Sequence, residues 1–113
     1  MDKNQAIIKI FQEIKPIKDI ELKFLMLLEI AGSSDLSIKE LIDLYSQVKQ
    51  QEVLIVSISS RIKLQKEQKD KLEKSLDKEF KNRLIFDYQI DPKQSKIIDI
   101  KVNDDQAQIN VDL

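Results

Sequence analysis

Apolar residues at Ile7, Ile10, Phe11 and Ile14 recur at the i, i+3, i+4, i+7 spacing of one helical face. The spacing predicts a short amphipathic helix over residues 3 to 15, ended by Pro16, which has no amide hydrogen to give to the helical ladder. Between Asp19 and Ala31 the apolar positions Ile20, Phe24, Leu25, Leu27, Leu28 and Ile30 cover much of the circumference, which predicts the most buried helix of the chain. Gly32 follows where a helix end favours a left-handed residue. Ser37 and Glu40 fit a capping box, and Ile38, Leu41, Ile42, Tyr45 and Val48 then carry a third helix over residues 38 to 51.

The period changes at Val53. Residues 53 to 59 form a short β-branched run, suited to a strand covered on both faces. Leu72, Leu76 and Phe80, spaced by four in a very polar stretch, predict a helix over residues 65 to 81 that packs by a narrow stripe. Period-two alternation then marks three strands: Leu84, Phe86, Tyr88 and Ile90; Ile98, Ile100 and Val102; Ala107, Ile109, Val111 and Leu113. Asp91 with Pro92, and residues 103 to 106, supply the turn chemistry between them. The expected fold is α+β: a helical lobe of about three helices over residues 1 to 51, then a β-α-β-β-β unit with a small mixed sheet over residues 52 to 113. The helical crossover allows the first two strands to run parallel, and the last strands should pair as antiparallel hairpins.

Composition narrows the chemistry. The 113 residues include no histidine, cysteine or tryptophan, one glycine and two prolines. That removes the side chain best suited to proton transfer at neutral pH, the thiolate nucleophile, the commonest transition-metal ligands and any glycine-rich phosphate cradle. No enzyme activity, cofactor or metal is therefore expected. Formal net charge is −1 with 35% of residues charged, so the surface is heavily charged but balanced. No apolar run reaches membrane-spanning length and the amino terminus is charged throughout, so a cytoplasmic protein without direct membrane insertion is expected.

Local clusters have ordinary explanations. Asp99, Asp104, Asp105 and Asp112 lack the alternate-position spacing of a calcium loop and read as polar hairpin composition. Ser57, Ser59 and Ser60 near Lys63 and Lys66 have no glycine elbow beside them. Residues 61 to 83 hold nine Lys/Arg against five Asp/Glu, a local net of 9 − 5 = +4. Glu67 with Lys71, Asp70 with Lys74, and Asp77 with Lys81 are acid-before-base pairs four apart, which favours a solvated helix face. Aromatic platforms for bases are not interleaved, which argues against nucleic acid. Two readings stay open for the amino-terminal helices: Ile7, Phe11 and Ile14 cover the chain's own core, or they leave an apolar stripe for a partner. With Leu72, Leu76 and Phe80 they make up the candidate partner-binding set.

The order of elements resembles a known family. The relevant residues are Phe24 to Leu28 with Gly32, the stripe from Leu41 to Val48, and the run from Val53 to Ser60. Next come Leu64, Gln65, Lys66, Glu67 and Gln68 with Leu72 and Leu76, then Ile90, Asp91 and Pro92, then Val102, Asn103 and Asp104. From Phe24 to Val111 the chain resembles the later part of the delta subunit of F-type ATP synthases, whose mitochondrial counterpart is the oligomycin-sensitivity-conferring protein. Lys93 to Ile97 replace that family's apolar, glycine-containing segment after Asp-Pro, Asn103 replaces its usual turn glycine, and Ser33 replaces an arginine.

The resemblance implies a non-catalytic stator or linker subunit, with ATPase head subunits and stalk subunits as partners. It places the protein at the membrane periphery through its complex. It also implies a shortened chain with a reduced amino-terminal head-binding domain, suited to a divergent F1-like ATPase with a mechanical task such as motility. The alternative is a small α+β binding module whose basic helix around Lys69 to Lys81 docks an acidic protein or RNA.

Overall fold

The computed structural model describes residues 1–103 together with Asp105 and Gln106. The chain divides into two compact units, Met1–Val53 and Leu54–Leu113.

The amino-terminal unit is helical. Helix α1, Lys3–Lys9, starts with a reciprocal cap in which Asp2 accepts from the Gln5 amide at 2.8 Å and the Gln5 side chain accepts from the Asp2 amide at 3.0 Å. The expected single α-helix to residue 15 is instead two pieces, because the ladder widens into a π-helical stretch at Ile10–Ile14. There the Lys15 amide donates to the Ile10 carbonyl at 2.8 Å, and Pro16 ends the run. Ile7, Ile10, Phe11 and Ile14 all face inward.

Helix α2, Ile20–Gly32, is capped by Asp19, whose carboxylate accepts from the Glu21 and Leu22 amides. Gly32 is its last residue and keeps a negative φ. The helix end is satisfied another way: the Ser33 amide and the Ser33 and Ser34 hydroxyls all donate to the Ile30 carbonyl. Helix α3, Ile38–Lys49, begins with the expected Ser37/Glu40 capping box and touches α1, the π-helical stretch and α2. Leu41, Leu44 and Val48 are its buried positions. The left-handed residue expected at Gly32 occurs here instead. Gln51, at φ 58°, lets the Glu52 amide reach the Gln47 carbonyl at 3.0 Å and its own amide reach Val48 at 3.2 Å. That bond pair is a Schellman stop built without glycine.

The carboxyl-terminal unit runs β1 (Val53–Ser60), α4 (Lys66–Glu79), β2 (Arg83–Ile90), β3 (Ile98–Val102) and β4 (Asp105–Gln106), with β1 beginning at the last residue of the first unit. The sheet order is β2-β1-β3-β4. Val56 faces Val102, Ile58 faces Ile100 and Ser60 faces Ile98 in the antiparallel β1/β3 register. The Asp91 amide, just past the end of β2, bonds the carbonyl of Ser60 at the end of β1. The two strands therefore point the same way, as the helical crossover allows, and the sheet is mixed.

Val56, Ile58, Leu64, Leu72, Leu76 and Ile100 form the core of this unit, with Phe80, Leu84, Phe86, Tyr88, Ile98 and Val102 packed partly buried against it. Asn103, at φ 49°, donates its amide to the Ile55 carbonyl and accepts the Ile55 amide on Oδ1 at 2.8 Å, extending the pairing one step past β3. The remainder of the expected last strand, Ala107, Ile109, Val111 and Leu113, lies outside the described residues, as do Asp104 and Asp112.

Candidate partner-binding surfaces

Five of the six residues singled out for partner binding are interior. Ile7 and Ile14 are fully enclosed, Phe11 is buried with the Lys15 ammonium 5.2 Å from its ring centre, and Leu72 and Leu76 are fully enclosed under α4. Phe80 is partly buried against the core of the second unit. Ile7, Phe11 and Ile14 are thus buried residues of the first unit, and Leu72 and Leu76 belong to the core of the second, with Phe80 packed against it.

The outward apolar surface lies on α2, the helix expected to be most buried. Ile20 is 80% exposed, Leu25 60%, Phe24 46%, Leu22 45% and Leu28 41%, while only Leu27 and Ile30 are buried. The reversal has a geometric cause. Within the unit α2 touches α3 and the π-helical stretch, which together cover one side, so a helix apolar around most of its circumference keeps the rest in solvent. Ile20, Phe24 and Leu28 stand four apart on one stripe, with Leu25 beside it. At the boundary of this surface Lys23 donates to the Tyr45 hydroxyl and lies 5.0 Å over its ring, bracing α2 on α3. The signal was present in the sequence as apolar positions spread around much of α2, but apolarity alone does not say which side faces a core.

In the second unit, a shallow cleft of about 130 Å³ is lined by Ser60, Lys63, Leu64, Lys69, Tyr88, Gln89 and Ile90. Lys69 Nζ sits 4.7 Å over the Tyr88 ring, and the Tyr88 hydroxyl donates to Glu73 at 3.1 Å. Burial, then the Glu73 and Asp70 carboxylates, raise the Tyr88 phenol well above its ordinary value and keep it neutral. Two of the serines near Lys63 have structural bonds: Ser60 donates to the Ile62 carbonyl and Ser59 to the Gln94 side chain. Gln94 also donates to the Ser59, Lys96 and Ile97 carbonyls, and Arg61 donates to those of Gln94 and Ser95, so the β2–β3 loop is latched onto β1.

Among the described residues no three His, Cys, Asp or Glu side chains group as metal ligands would, and no helix is long and apolar enough to cross a membrane.

The chain was compared with known families, curated proteins and solved structures. The family model described as ATP synthase delta (OSCP) subunit matches residues 1–107. The match takes in α1 and the π-helical stretch, ahead of Phe24, where the residue-level resemblance starts. No curated protein and no solved structure gives a significant match.

Proposed function

The chain belongs to the ATP synthase delta (OSCP) subunit family, and from that premise we propose that it is a non-catalytic stalk or linker subunit of an F-type or F1-like ATPase. The family match over residues 1–107 is the observation that carries this reading. The exposed apolar face of α2 supports it, since a contiguous apolar surface on a small soluble unit marks an interface. In this reading α2 supplies the contact with an ATPase head or stalk subunit. Ile7, Phe11 and Ile14 contribute from beneath, by holding the lobe that carries α2.

The finer reading is a divergent complex serving a mechanical task such as motility. Its support is the set of departures from the family pattern. The polar segment at Lys93 to Ile97 is latched by Gln94 and Arg61, where the family has an apolar, glycine-containing stretch. Asn103 stands at a left-handed turn position where the family has glycine, and uses its side chain to bond Ile55.

Affinity capture of the tagged protein from its native cell, followed by mass spectrometry, tests the role. ATPase α and β subunits should be recovered in fixed ratio, and Leu25→Lys with Phe24→Ser should abolish their recovery. A protein that is recovered alone, or with subunits indifferent to those substitutions, overturns the assignment.

A further inference from the structure

Among the described residues, the sheet of the second unit ends on β2. The order β2-β1-β3-β4 leaves β2 at one margin of the sheet, and β2 is eight residues long. Exposed strands of that length offer main-chain hydrogen bonds to any extended chain that lies beside them.

Which groups face outward follows from one bond. The Asp91 amide points toward β1, where it meets the Ser60 carbonyl. Main-chain groups alternate sides along a strand, so those of Arg83, Ile85, Asp87 and Gln89 also point to β1, and those of Leu84, Phe86, Tyr88 and Ile90 point away from it. The side chains of Leu84, Phe86 and Tyr88 lie on the α4 face and are only partly buried. Phe86 and Tyr88 are stacked with centroids 6.5 Å apart. By contrast Val56 and Ile58, on the neighbouring strand β1 and the same face, are enclosed. The apolar layer therefore stops short of the sheet's margin, where one more strand would complete it.

At the carboxyl end of β2 the surface changes character. The cleft of Ser60, Lys63, Leu64, Lys69, Tyr88, Gln89 and Ile90 opens there, with two lysines and an isoleucine that is 56% exposed. Lys63 and Lys69 are the charged side chains among its described lining residues, and both are cationic. Glu73 is engaged by the Tyr88 hydroxyl, and Asp70 is the other acid acting on that ring.

We propose that β2 is a docking edge for an extended peptide segment of a partner protein, whose alternate apolar side chains cover Leu84, Phe86 and Tyr88 and whose carboxylate enters the cleft at Lys63 and Lys69. Charge complementarity and the unfinished apolar layer select this occupant. The inference does not depend on the stalk role, because it rests on strand order, exposure and charge alone.

The test uses the whole isolated protein and a displayed library of short random peptides, with enriched sequences then made synthetically and titrated by fluorescence anisotropy. Enriched peptides should alternate apolar and polar residues and carry an acid at one end. Their addition should shift the amide resonances of Leu84, Phe86, Tyr88 and Ile90. Ile90→Pro removes an outward amide at an exposed position, and the pair Lys63→Glu with Lys69→Glu reverses the charge of the cleft. Each should weaken binding at least about tenfold, while Lys39→Glu on α3 leaves it unchanged. Should Ile90→Pro fail to fold, the resonance shifts and the charge-reversed pair decide. Recovery of no peptide, of peptides without an acid, or of peptides that shift other resonances overturns the proposal. No ATPase subunit is present, so the outcome is separate from that of the stalk assignment.

Discussion

Helices α2 and α4 are nearly equal in length, 13 and 14 residues, and use their apolar residues in opposite ways. In α4 nearly every side chain is polar, and the two leucines at 72 and 76 are both fully enclosed. In α2 apolar residues dominate, yet Ile20, Leu22, Phe24, Leu25 and Leu28 are all more than two-fifths exposed. Content therefore does not determine burial. A helix buries what its neighbours can cover, and α4 lies across a sheet that matches its narrow stripe. The neighbours of α2 within its unit cover one side only. What exceeds the available cover is surface, and apolar surface in water is worth most when a second protein removes it.

The largest test of this contrast is in α4. Leu76→Ala should cost about 2–5 kcal/mol, the range for deleting an enclosed leucine, read as a lower urea midpoint at unchanged slope. On the other side of the comparison, Leu25→Lys should change folding stability by no more than about 0.5 kcal/mol, because the side chain is already 60% exposed. The same substitution should cost about 2 kcal/mol or more in association with ATPase subunits, as expected for an apolar anchor. If Leu25→Lys unfolds the protein, α2 is a core helix and the contrast fails.

The sequence pattern located most described elements to within a few residues, because period and turn chemistry are local properties, while β4 begins at Asp105, inside the turn expected over residues 103 to 106. Helices α2, α3 and α4 and strands β1, β2 and β3 occupy nearly their expected positions. Inward and outward faces were less legible. Ile7, Phe11 and Ile14 left both readings open since their stripe is the same whether it meets the chain's own helices or another protein. For α2, apolar residues spread around much of the circumference give no directional signal, and their abundance does not imply burial. The π-helical widening at Ile10–Ile14 has no marker in the spacing, because Ile7, Ile10, Phe11 and Ile14 form one stripe under either ladder. The cleft at Lys63, Lys69 and Tyr88 joins residues from β1, the loop after it, α4 and β2, which the crossover brings together.

A smaller effect separates the two helix ends of the amino-terminal unit. Gly32 sits within a helix at negative φ with nothing within 4 Å of where a Cβ would lie, while Gln51 holds the left-handed position. Glycine is thus absent from the one helix end that needs it. Gln51→Gly should raise stability by about 0.5–1 kcal/mol, since the left-handed conformation disfavours a side chain. Gly32→Ala should add up to about 1 kcal/mol through helix propensity. A differential scan of the two variants checks both, and a loss at Gln51→Gly would mean that its side-chain contact outweighs the backbone strain.

The smallest effect belongs to the second unit, and it is one of pH. The folded-state pKa of Tyr88 lies above its ordinary value of 10.0 because burial and the nearby Glu73 and Asp70 carboxylates disfavour a phenolate. Above pH 10 the unfolded chain releases the Tyr88 proton while the folded chain keeps it, so the folded state binds more protons and stability falls as pH rises. Below that range both states hold the proton and the group contributes no pH dependence. Lysine as a residue class ordinarily loses its charge in alkaline solution, so the natural protein alone cannot isolate the tyrosine. Tyr88→Phe keeps every lysine and removes only the phenol. Its urea midpoint should fall less steeply above pH 10 than that of the natural protein, and near neutral pH it should lie slightly lower through loss of the 3.1 Å bond to Glu73. Parallel slopes would show that neither burial nor the carboxylates of α4 raise this phenol.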